Sequence, residues 1–143
     1  MNIKEIMHSP VTAVASTASL KNAAELMQNK GIGFLVVAEN DELIGTLTDR
    51  DIVTRAVSQG LDMNSTFVDE IMSINLLYCH EEHSVDEVAN HMNEAQVRRM
   101  PVVGSNNKLT GVVSIGDMAQ HLSPDIVGQA LKGITENSRA NYA

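Results

Sequence analysis

The chain has 143 residues, of which 43% are hydrophobic, and its net charge of −8 disfavours a general binder of nucleic acid or anionic membranes, which needs a basic face. Its single cysteine, Cys79, excludes an internal disulfide and predicts a cytoplasmic protein. No stretch has the length and hydrophobicity of a signal peptide or a membrane span.

The first half of the chain alternates between helical and strand-like patterns. Ser19 is a typical helix cap, and apolar residues recur behind it at the helical period until Gly31. The predicted elements are, in order, helix 3–7, strand 11–14, helix 20–30, strand 34–38, a polar turn at 39–42, strand 43–47 and a helix that begins at Thr48.

The second half repeats this order. Ser84 and Glu87 form a capping-box sequence ahead of another amphipathic helix. The predicted elements are helix 68–72, strand 76–79, the helix after Ser84, strand 100–103, a turn at 105–108, strand 109–113 and a helix that begins at Ser114. The repeat ends at Leu122, and Ser123-Pro124 then predicts a further helix to about residue 134, followed by a tail that frays.

One signature marks each copy: Gly, two residues, Thr or Ser, two residues, Asp. It runs from Gly45 to Asp51 and returns 66 residues later, from Gly111 to Asp117. Earlier in the copies the spacing is 65 residues, and we place the change in the helix-to-strand loop near residues 95–98. The repeat predicts a first domain at 1–60, a linker at 61–66, a second domain at 67–122 and a C-terminal extension at 123–143.

Further short motifs occur in order along the chain: Ile6-Met7 before Ser9-Pro10-Val11, Ile32-Gly33, Thr48-Asp49-Arg50-Asp51 and residues 97–102. With the repeated signature they resemble the CBS domain, named for cystathionine β-synthase, over residues 1 to about 122. The chain is similar to stand-alone bacterial proteins with two such domains, including those induced under hypoxia. The resemblance implies an α/β (α+β) fold of two tandem domains, each a small three-stranded sheet with packed helices, related by pseudo-two-fold symmetry.

The resemblance also implies a ligand and an assembly. Pairs of CBS domains leave two clefts that commonly bind AMP, ADP, ATP, S-adenosylmethionine or NAD, and many members form homodimers. We therefore expect a non-enzymatic module that binds an adenine nucleotide and shifts between conformations, which an effector protein or a second subunit reads. The methionines Met27, Met92 and Met118 fit a dimer interface and a buried core equally well.

The pairs Thr48 with Asp51 and Ser114 with Asp117 form the centre of the expected site. A helix N-terminus offers free N–H groups and a positive dipole end to a phosphate, and the hydroxyl adds a donor. By resemblance, the Thr or Ser contacts phosphate and the Asp holds ribose. The same residues are also capping boxes, which stabilise any helix by about 1 kcal/mol, but their repetition favours the functional interpretation.

Arginines are the best partners for phosphate on this acidic chain, because the guanidinium group suits bidentate contacts. The candidates are Arg50, Arg98 and Arg99. Salt bridges with neighbouring carboxylates are the alternative for at least one of them. Gly116 stands where the first copy has Arg50, so we expect unequal clefts, with the extra charge on the Thr48 side.

Adenine needs an apolar slot with backbone donors and acceptors, and several strand residues are placed for it unless they are plain core. The candidates are Thr12, Val14, Gly33, Phe34, Leu35, Leu77, Cys79, Arg99, Met100 and Pro101. The copies differ at two aligned positions: the first copy has Leu35 where the second has Pro101, and Pro10 where the second has Asn75. These differences leave open whether one cleft or both bind a ligand.

Neither a metal site nor a catalytic residue is predicted. His80 and His83 flank two glutamates in a ligand-like cluster, but it falls in a loop without a second cluster, so we expect solvated polar residues. Cys79 lies in a predicted strand, where packing is favoured over a nucleophilic role. Two alternatives remain: a ligand-free structural dimer or protein-interaction module, and a metal-dependent or nucleotide-hydrolysing enzyme.

Overall fold

The computed structural model describes residues 1–74 and 76–142, with side chains up to residue 136. Asn75, which stands in place of Pro10 in the second copy, lies outside the described residues. The chain forms two compact units. The middle unit is Thr12–Leu76, and the terminal unit joins Met1–Val11 to the chain from Leu77 onward. Among the described residues, no helix combines the length and the apolar character needed to cross a bilayer.

The middle unit is a three-stranded sheet with helices. Its elements are β1 (Ala13–Val14), α1 (Leu20–Lys30), β2 (Phe34–Glu39), β3 (Glu42–Thr48) and α2 (Asp49–Asp51), which continues as a π-helix (Ile52–Ala56) and a 3-10 turn (Val57–Gln59), and a 3-10 turn at Val68–Glu70. The sheet order is β1-β2-β3, with β1 parallel and β3 antiparallel to β2. The Ser19 hydroxyl accepts from the Asn22 N–H at 3.1 Å and begins α1 as predicted.

The terminal unit repeats this topology and adds a long helix. Its elements are a 3-10 turn (Ile3–Glu5), β4 (Cys79–His80), α3 (Val85–Ala95), β5 (Arg99–Val103), a 3-10 turn (Ser105–Asn107), β6 (Leu109–Ser114), α4 (Ile115–Ala119) and α5 (Pro124–Tyr142). The sheet order is β4-β5-β6, again with one parallel and one antiparallel pair. The expected three-stranded sheet with packed helices is therefore confirmed in each unit.

The leading turn of each sequence repeat is built into the unit formed by the other repeat. The Ile3 N–H donates to the His83 carbonyl at 2.9 Å, and the Ile3 side chain is fully buried in the terminal core. In the same way the Val68 N–H donates to the Ala18 carbonyl at 2.9 Å, and Val68 is fully buried in the middle core. The predicted limits 1–60 and 67–122 thus follow the sequence repeat, whereas the compact units regroup the two turns.

Both cores are aliphatic, as the scarcity of aromatic residues predicts. Of the methionines with two interpretations, Met92 and Met118 are fully buried in the terminal core, and Met27 is 6% exposed in the middle core. All three therefore pack within a core of the single chain. The middle core consists of Leu20, Ala23, Met27, Leu35, Val37, Leu47, Ile52, Ala56, Val68 and Ile71.

Strand register corrects the expected alignment of the two copies. Leu35 corresponds to Met100 and Val36 to Pro101, so the expected Leu35–Pro101 difference was wrong. The copies stay 65 residues apart through β2 and β5 and become 66 apart only in β3 and β6. The extra residue therefore lies in the hairpin turn, not in the helix-to-strand loop near residues 95–98.

Helix and strand ends account for the other differences. Gly31 and Gln96 end α1 and α3 at equivalent positions, both in the left-handed conformation, but only the glycine signals such an end in the sequence. Strands β1 and β4 are shorter than predicted, because only two residues of each pair with the neighbouring strand. Helix α5 extends to Tyr142, beyond the predicted end at 134, since no proline interrupts it.

Candidate functional site

In the middle unit, β3 runs into α2 through a reciprocal capping box. The Asp51 N–H donates to the Thr48 hydroxyl at 3.0 Å, and the Thr48 N–H donates to Asp51 Oδ2 at 3.0 Å. The second carboxylate oxygen, Oδ1, lies 3.6 Å from the Arg55 guanidinium, and the Asp51 side chain is 14% exposed. A carboxylate has about four lone-pair sites, so Asp51 retains acceptor capacity for ligand hydroxyl groups.

The terminal unit contains the same arrangement with a different cation. The Asp117 N–H donates to the Ser114 hydroxyl at 3.1 Å, and the Ser114 N–H donates to Asp117 Oδ2 at 2.8 Å. Here Oδ1 lies 2.8 Å from Nε2 of His8, whose side chain is 79% exposed. The two sites therefore share their backbone geometry and differ in the group that faces the second carboxylate oxygen.

Sequence reasoning missed both of these partners. Arg55 follows Asp51 at the i, i+4 spacing of a helical ion pair, which is a signal the sequence does carry. It also donates to the Ile71 carbonyl at 3.0 Å and to the Ser73 hydroxyl at 3.1 Å. His8 lies 109 residues from Asp117, so no local pattern points to it.

The leading glycine of each signature is required by a close backbone approach. A Cβ on Gly45 would lie 2.9 Å from the Ser73 carbonyl oxygen, and a Cβ on Gly111 would lie 2.9 Å from that of His8. In both cases the approaching segment pairs with the following strand residue; for example, the His8 N–H donates to the Val112 carbonyl at 2.9 Å. The glycine thus allows a second segment to pass beside the site.

The predicted arginines lie on the surface near these helix starts. Arg50 lies within the first turn of α2, and its N–H donates to Asp49 Oδ1 at 2.8 Å. Arg99 pairs across the strands with Ser114, and the Arg98 carbonyl accepts from the Ile115 N–H at 2.9 Å. The backbone therefore brings Arg98 and Arg99 next to the Ser114 end of β6. Whether their guanidinium groups bind phosphate stays a prediction.

The strand residues proposed for adenine divide into two groups. Leu35 and Met100 are fully buried in the two cores and Pro101 is buried, so the side chains of Leu35 and Met100 cannot line a ligand slot. Leu35 pairs with Leu47 and Met100 with Val113 in the two sheets. In the other group, Thr12, Val14, Gly33, Phe34 and Leu77 are half-buried and Arg99 is exposed.

Position in the sheet separates this second group further. Phe34 pairs with Thr48, and the Gly33 carbonyl accepts from the Asp49 N–H at 3.0 Å, so both adjoin the capping box. Thr12 directly precedes β1, which lies on the opposite side of β2 from β3 and Thr48. Its carbonyl accepts from the Val36 N–H at 3.4 Å. Within the middle unit, Gly33 and Phe34 are thus the residues of the expected slot that the structure places beside Thr48.

Cys79 has the surroundings of a packing residue. It is 1% exposed, and burial raises the pKa of its thiol from 9.0 to about 12.

We expect the folded protein at pH 7 not to react with a thiol reagent at Cys79, whereas the guanidinium-unfolded chain reacts fully. Because the folded pKa is raised, its contribution to stability is complete below pH 9.0 and declines as the pH rises toward 12. Rapid labelling of folded protein would contradict this assignment.

The histidine loop brings two candidate metal ligands together. The His80 N–H donates to Nδ1 of His83 at 3.3 Å, and their ring centroids are 5.4 Å apart. Within residues 1–74 and 76–142, no group of three or more His, Cys, Asp or Glu side chains has the geometry to hold a metal ion. The expectation of solvated polar residues in this loop stays a prediction.

Comparisons with known proteins agree with the duplicated architecture. The family model for the CBS domain matches residues 3–58 and 68–124. Hypoxic response protein 1 of Mycobacterium tuberculosis is 38% identical over 132 residues, which cover 92% of this chain and 92% of that protein. A crystal structure of Hypoxic Response Protein I with two coordinated zinc ions matches with a TM-score of 0.78 and 37% identity, over 86% of this chain and 100% of that one.

A second solved structure carries ligands. The CBS domain pair of protein MJ0100, in complex with 5′-methylthioadenosine and S-adenosyl-L-methionine, matches with a TM-score of 0.73 and 28% identity. The match covers 84% of this chain and 94% of that chain. Both ligands of that relative contain an adenosyl group.

Proposed function

The chain belongs to the CBS domain family, whose tandem pairs are regulatory ligand-binding modules, and on this premise we propose that it is a non-enzymatic sensor of adenine nucleotides. The observation that carries the proposal is the pair of matching capping boxes, Thr48 with Asp51 and Ser114 with Asp117. Each lies at the end of a strand that contains the signature glycine, and each holds a carboxylate that is largely buried yet still reachable from solvent.

The chemistry of each site suits an adenosyl ligand. The Asp carboxylate accepts hydrogen bonds from ribose hydroxyl groups, and the Thr or Ser hydroxyl and the helix N-terminus face a phosphate. Arg50 on the middle unit and Arg98 and Arg99 on the terminal unit supply the cations that AMP, ADP or ATP needs. Bound nucleotide then favours one of two conformations, and an effector protein reads that choice.

Removing the Thr48 hydroxyl tests the site, and Ser19 offers a matched control. Thr48→Ala and Ser19→Ala each remove one N-cap hydroxyl from a helix of the middle unit, so each costs about 1 kcal/mol of stability. Only Thr48→Ala is expected to reduce nucleotide binding. Wild-type protein at 100 times the dissociation constant of AMP, ADP or ATP gains about 2.7 kcal/mol, which a thermal-shift panel detects.

The same design separates the two sites. Ser114→Ala and Ser84→Ala are the corresponding pair in the terminal unit. If Thr48→Ala and Ser19→Ala affect binding equally, the capping hydroxyl has no role in the ligand site. A panel with no shift for any nucleotide would reject the sensor function and favour the ligand-free interaction module.

S-adenosylmethionine and NAD complete the panel, because a relative binds S-adenosyl-L-methionine and 5′-methylthioadenosine. A larger shift with S-adenosylmethionine than with any nucleotide would change the proposed ligand while keeping the site. Assembly into a homodimer stays a prediction, and sedimentation velocity of the whole chain measures it.

A further inference from the structure

The side chain that neighbours each capping hydroxyl differs between the two units. Phe34 lies directly opposite Thr48 in the β2–β3 pair, and Arg99 lies directly opposite Ser114 in the β5–β6 pair. Directly opposed residues of an antiparallel pair project to the same face of the sheet, with their Cβ atoms about 5 Å apart. Phe34 is half-buried, whereas Arg99 is exposed. An aromatic side chain therefore adjoins the hydroxyl in the middle unit, and a basic one adjoins it in the terminal unit.

A second pair of equivalent positions differs in the same direction. Asp49, the first residue of α2, donates its N–H to the Gly33 carbonyl at 3.0 Å. Ile115, the first residue of α4, donates its N–H to the Arg98 carbonyl at 2.9 Å. The Asp49 carboxylate lies against Gly33, because a Cβ on that glycine would be 2.6 Å from Asp49 Oδ2. The terminal unit thus has an apolar residue in place of the acid and an exposed arginine in place of the glycine.

The other charged side chains at these sites preserve the contrast. In the middle unit, Asp49 Oδ1 accepts the Arg50 N–H at 2.8 Å. The Arg55 guanidinium lies 3.6 Å from Asp51 Oδ1, so two acidic and two basic side chains balance there. In the terminal unit, the two arginines before the Ser114 end of β6 stand against one carboxylate, that of Asp117. Positive charge is therefore in excess in the terminal unit alone.

We propose that the two sites prefer different adenosyl ligands. The terminal unit prefers a nucleotide, whose phosphates contact Arg98 and Arg99, because guanidinium groups suit phosphate. The middle unit prefers an adenosyl ligand with an uncharged, apolar 5′ substituent, which packs against Phe34. A phosphate there would lose hydration beside the aromatic ring and be repelled by Asp49. The inference rests on the proposed function and narrows it, and it places the stronger phosphate site opposite to where the sequence alone predicts it.

Isothermal titration calorimetry of the full chain tests this preference, with ATP and 5′-methylthioadenosine as the probes. We expect two ATP sites per chain that differ about tenfold or more in affinity, because charge-assisted hydrogen bonds to phosphate are strong. Protein that holds one equivalent of ATP should still bind 5′-methylthioadenosine with its full affinity. Raising the salt concentration should weaken the binding of ATP alone, since 5′-methylthioadenosine has no net charge at pH 7.

Arg99→Phe gives the terminal unit the residue of the middle unit. It should lower the affinity of the tighter ATP site about tenfold and leave the affinity for 5′-methylthioadenosine unchanged. The matched control is Lys108→Met, which removes another exposed cation of the terminal unit, just before the opposite end of β6. This control should bind both ligands like wild type.

The reciprocal change is Phe34→Arg combined with Asp49→Ile, which gives the middle unit the residues of the terminal unit. It should raise the affinity of the weaker ATP site about tenfold and weaken the binding of 5′-methylthioadenosine. Thermal unfolding checks that each variant folds. Because Arg99 is exposed, Arg99→Phe decides the question even where the double variant is unstable.

The outcomes distinguish this preference from the sensor function itself. Two ATP sites of equal affinity, competition between one equivalent of ATP and 5′-methylthioadenosine, or unchanged ATP affinity in Arg99→Phe would overturn the preference and leave the sensor function standing. A chain that binds only one of the two probes would do the same. Binding of neither probe would overturn both proposals.

Discussion

Ala89→Asp is expected to lower the free energy of unfolding by about 3–5 kcal/mol, because it places an uncompensated carboxylate beneath α5. Ala89 is 1% exposed in the terminal core and lies on α3, against which α5 packs. Ala24 lies 65 residues earlier, at the equivalent position of α1 in the middle unit, and is exposed. The same substitution there, Ala24→Asp, is expected to change stability by no more than about 0.5 kcal/mol, as surface substitutions usually do.

Urea denaturation of both variants, followed by circular dichroism, measures this difference. The chemical change and the position within the repeat are matched, so the comparison isolates the cover that α5 provides. Equal effects of Ala24→Asp and Ala89→Asp on stability would contradict this difference in burial between the two surfaces.

Gly111→Ala is expected to be the most damaging small substitution in the site, with a loss of about 1–3 kcal/mol typical of overpacking. The added Cβ would lie 2.9 Å from the His8 carbonyl oxygen, which is fixed by its place beside β6. The segment carrying His8 must then move away from the strand. Since His8 contacts Asp117, the substitution should weaken nucleotide binding in the terminal unit as well as stability.

Gly116→Ala is the control for Gly111→Ala. The nearest heavy atom to a Cβ at Gly116 is the Ser114 hydroxyl at 3.5 Å, an ordinary contact, and alanine favours the helix by up to about 1 kcal/mol. Thermal unfolding of the two variants should therefore shift in opposite directions. Equal stability of Gly111→Ala and wild type would show that the segment at His8 does not lie close to β6.

The sequence carries most of the information on the secondary structure. Caps at Ser19 and Ser84 and the helical spacing behind them locate α1 and α3, because a helix end and its apolar face depend on local residues. The position of the extra residue is predicted wrongly, because Gln96 ends α3 in the left-handed conformation without the glycine that marks the end of α1 at Gly31. The two helix ends therefore do not align by sequence, although they are equivalent in the structure. The full length of α5 is also missed, because the mostly polar residues after Ile134 carry no apolar periodicity that would predict a helix.

The site could be predicted only where its contacts are local. The hydrogen bonds of each capping box join residues only three positions apart, Thr48 with Asp51 and Ser114 with Asp117. The repeated signature in the sequence therefore identifies both pairs. The contact of His8 with Asp117 depends on how the fold returns the N-terminal segment to β6, which no spacing in the sequence encodes.

Burial likewise depends on the fold. The sequence alone does not distinguish Leu35 and Met100 as ligand contacts from core residues, and their full burial becomes visible only in the packed sheets.

The regrouped leading turns bear on how such a chain could arise. Ile3 belongs to the first repeat but completes the terminal core, and Val68 belongs to the second repeat but completes the middle core. A single repeat therefore lacks one piece of its own interior. An ancestor with one repeat would have completed its core only by exchanging this turn with a second molecule, in a domain-swapped dimer. On this view, duplication and fusion turned an exchange between molecules into an exchange within one chain.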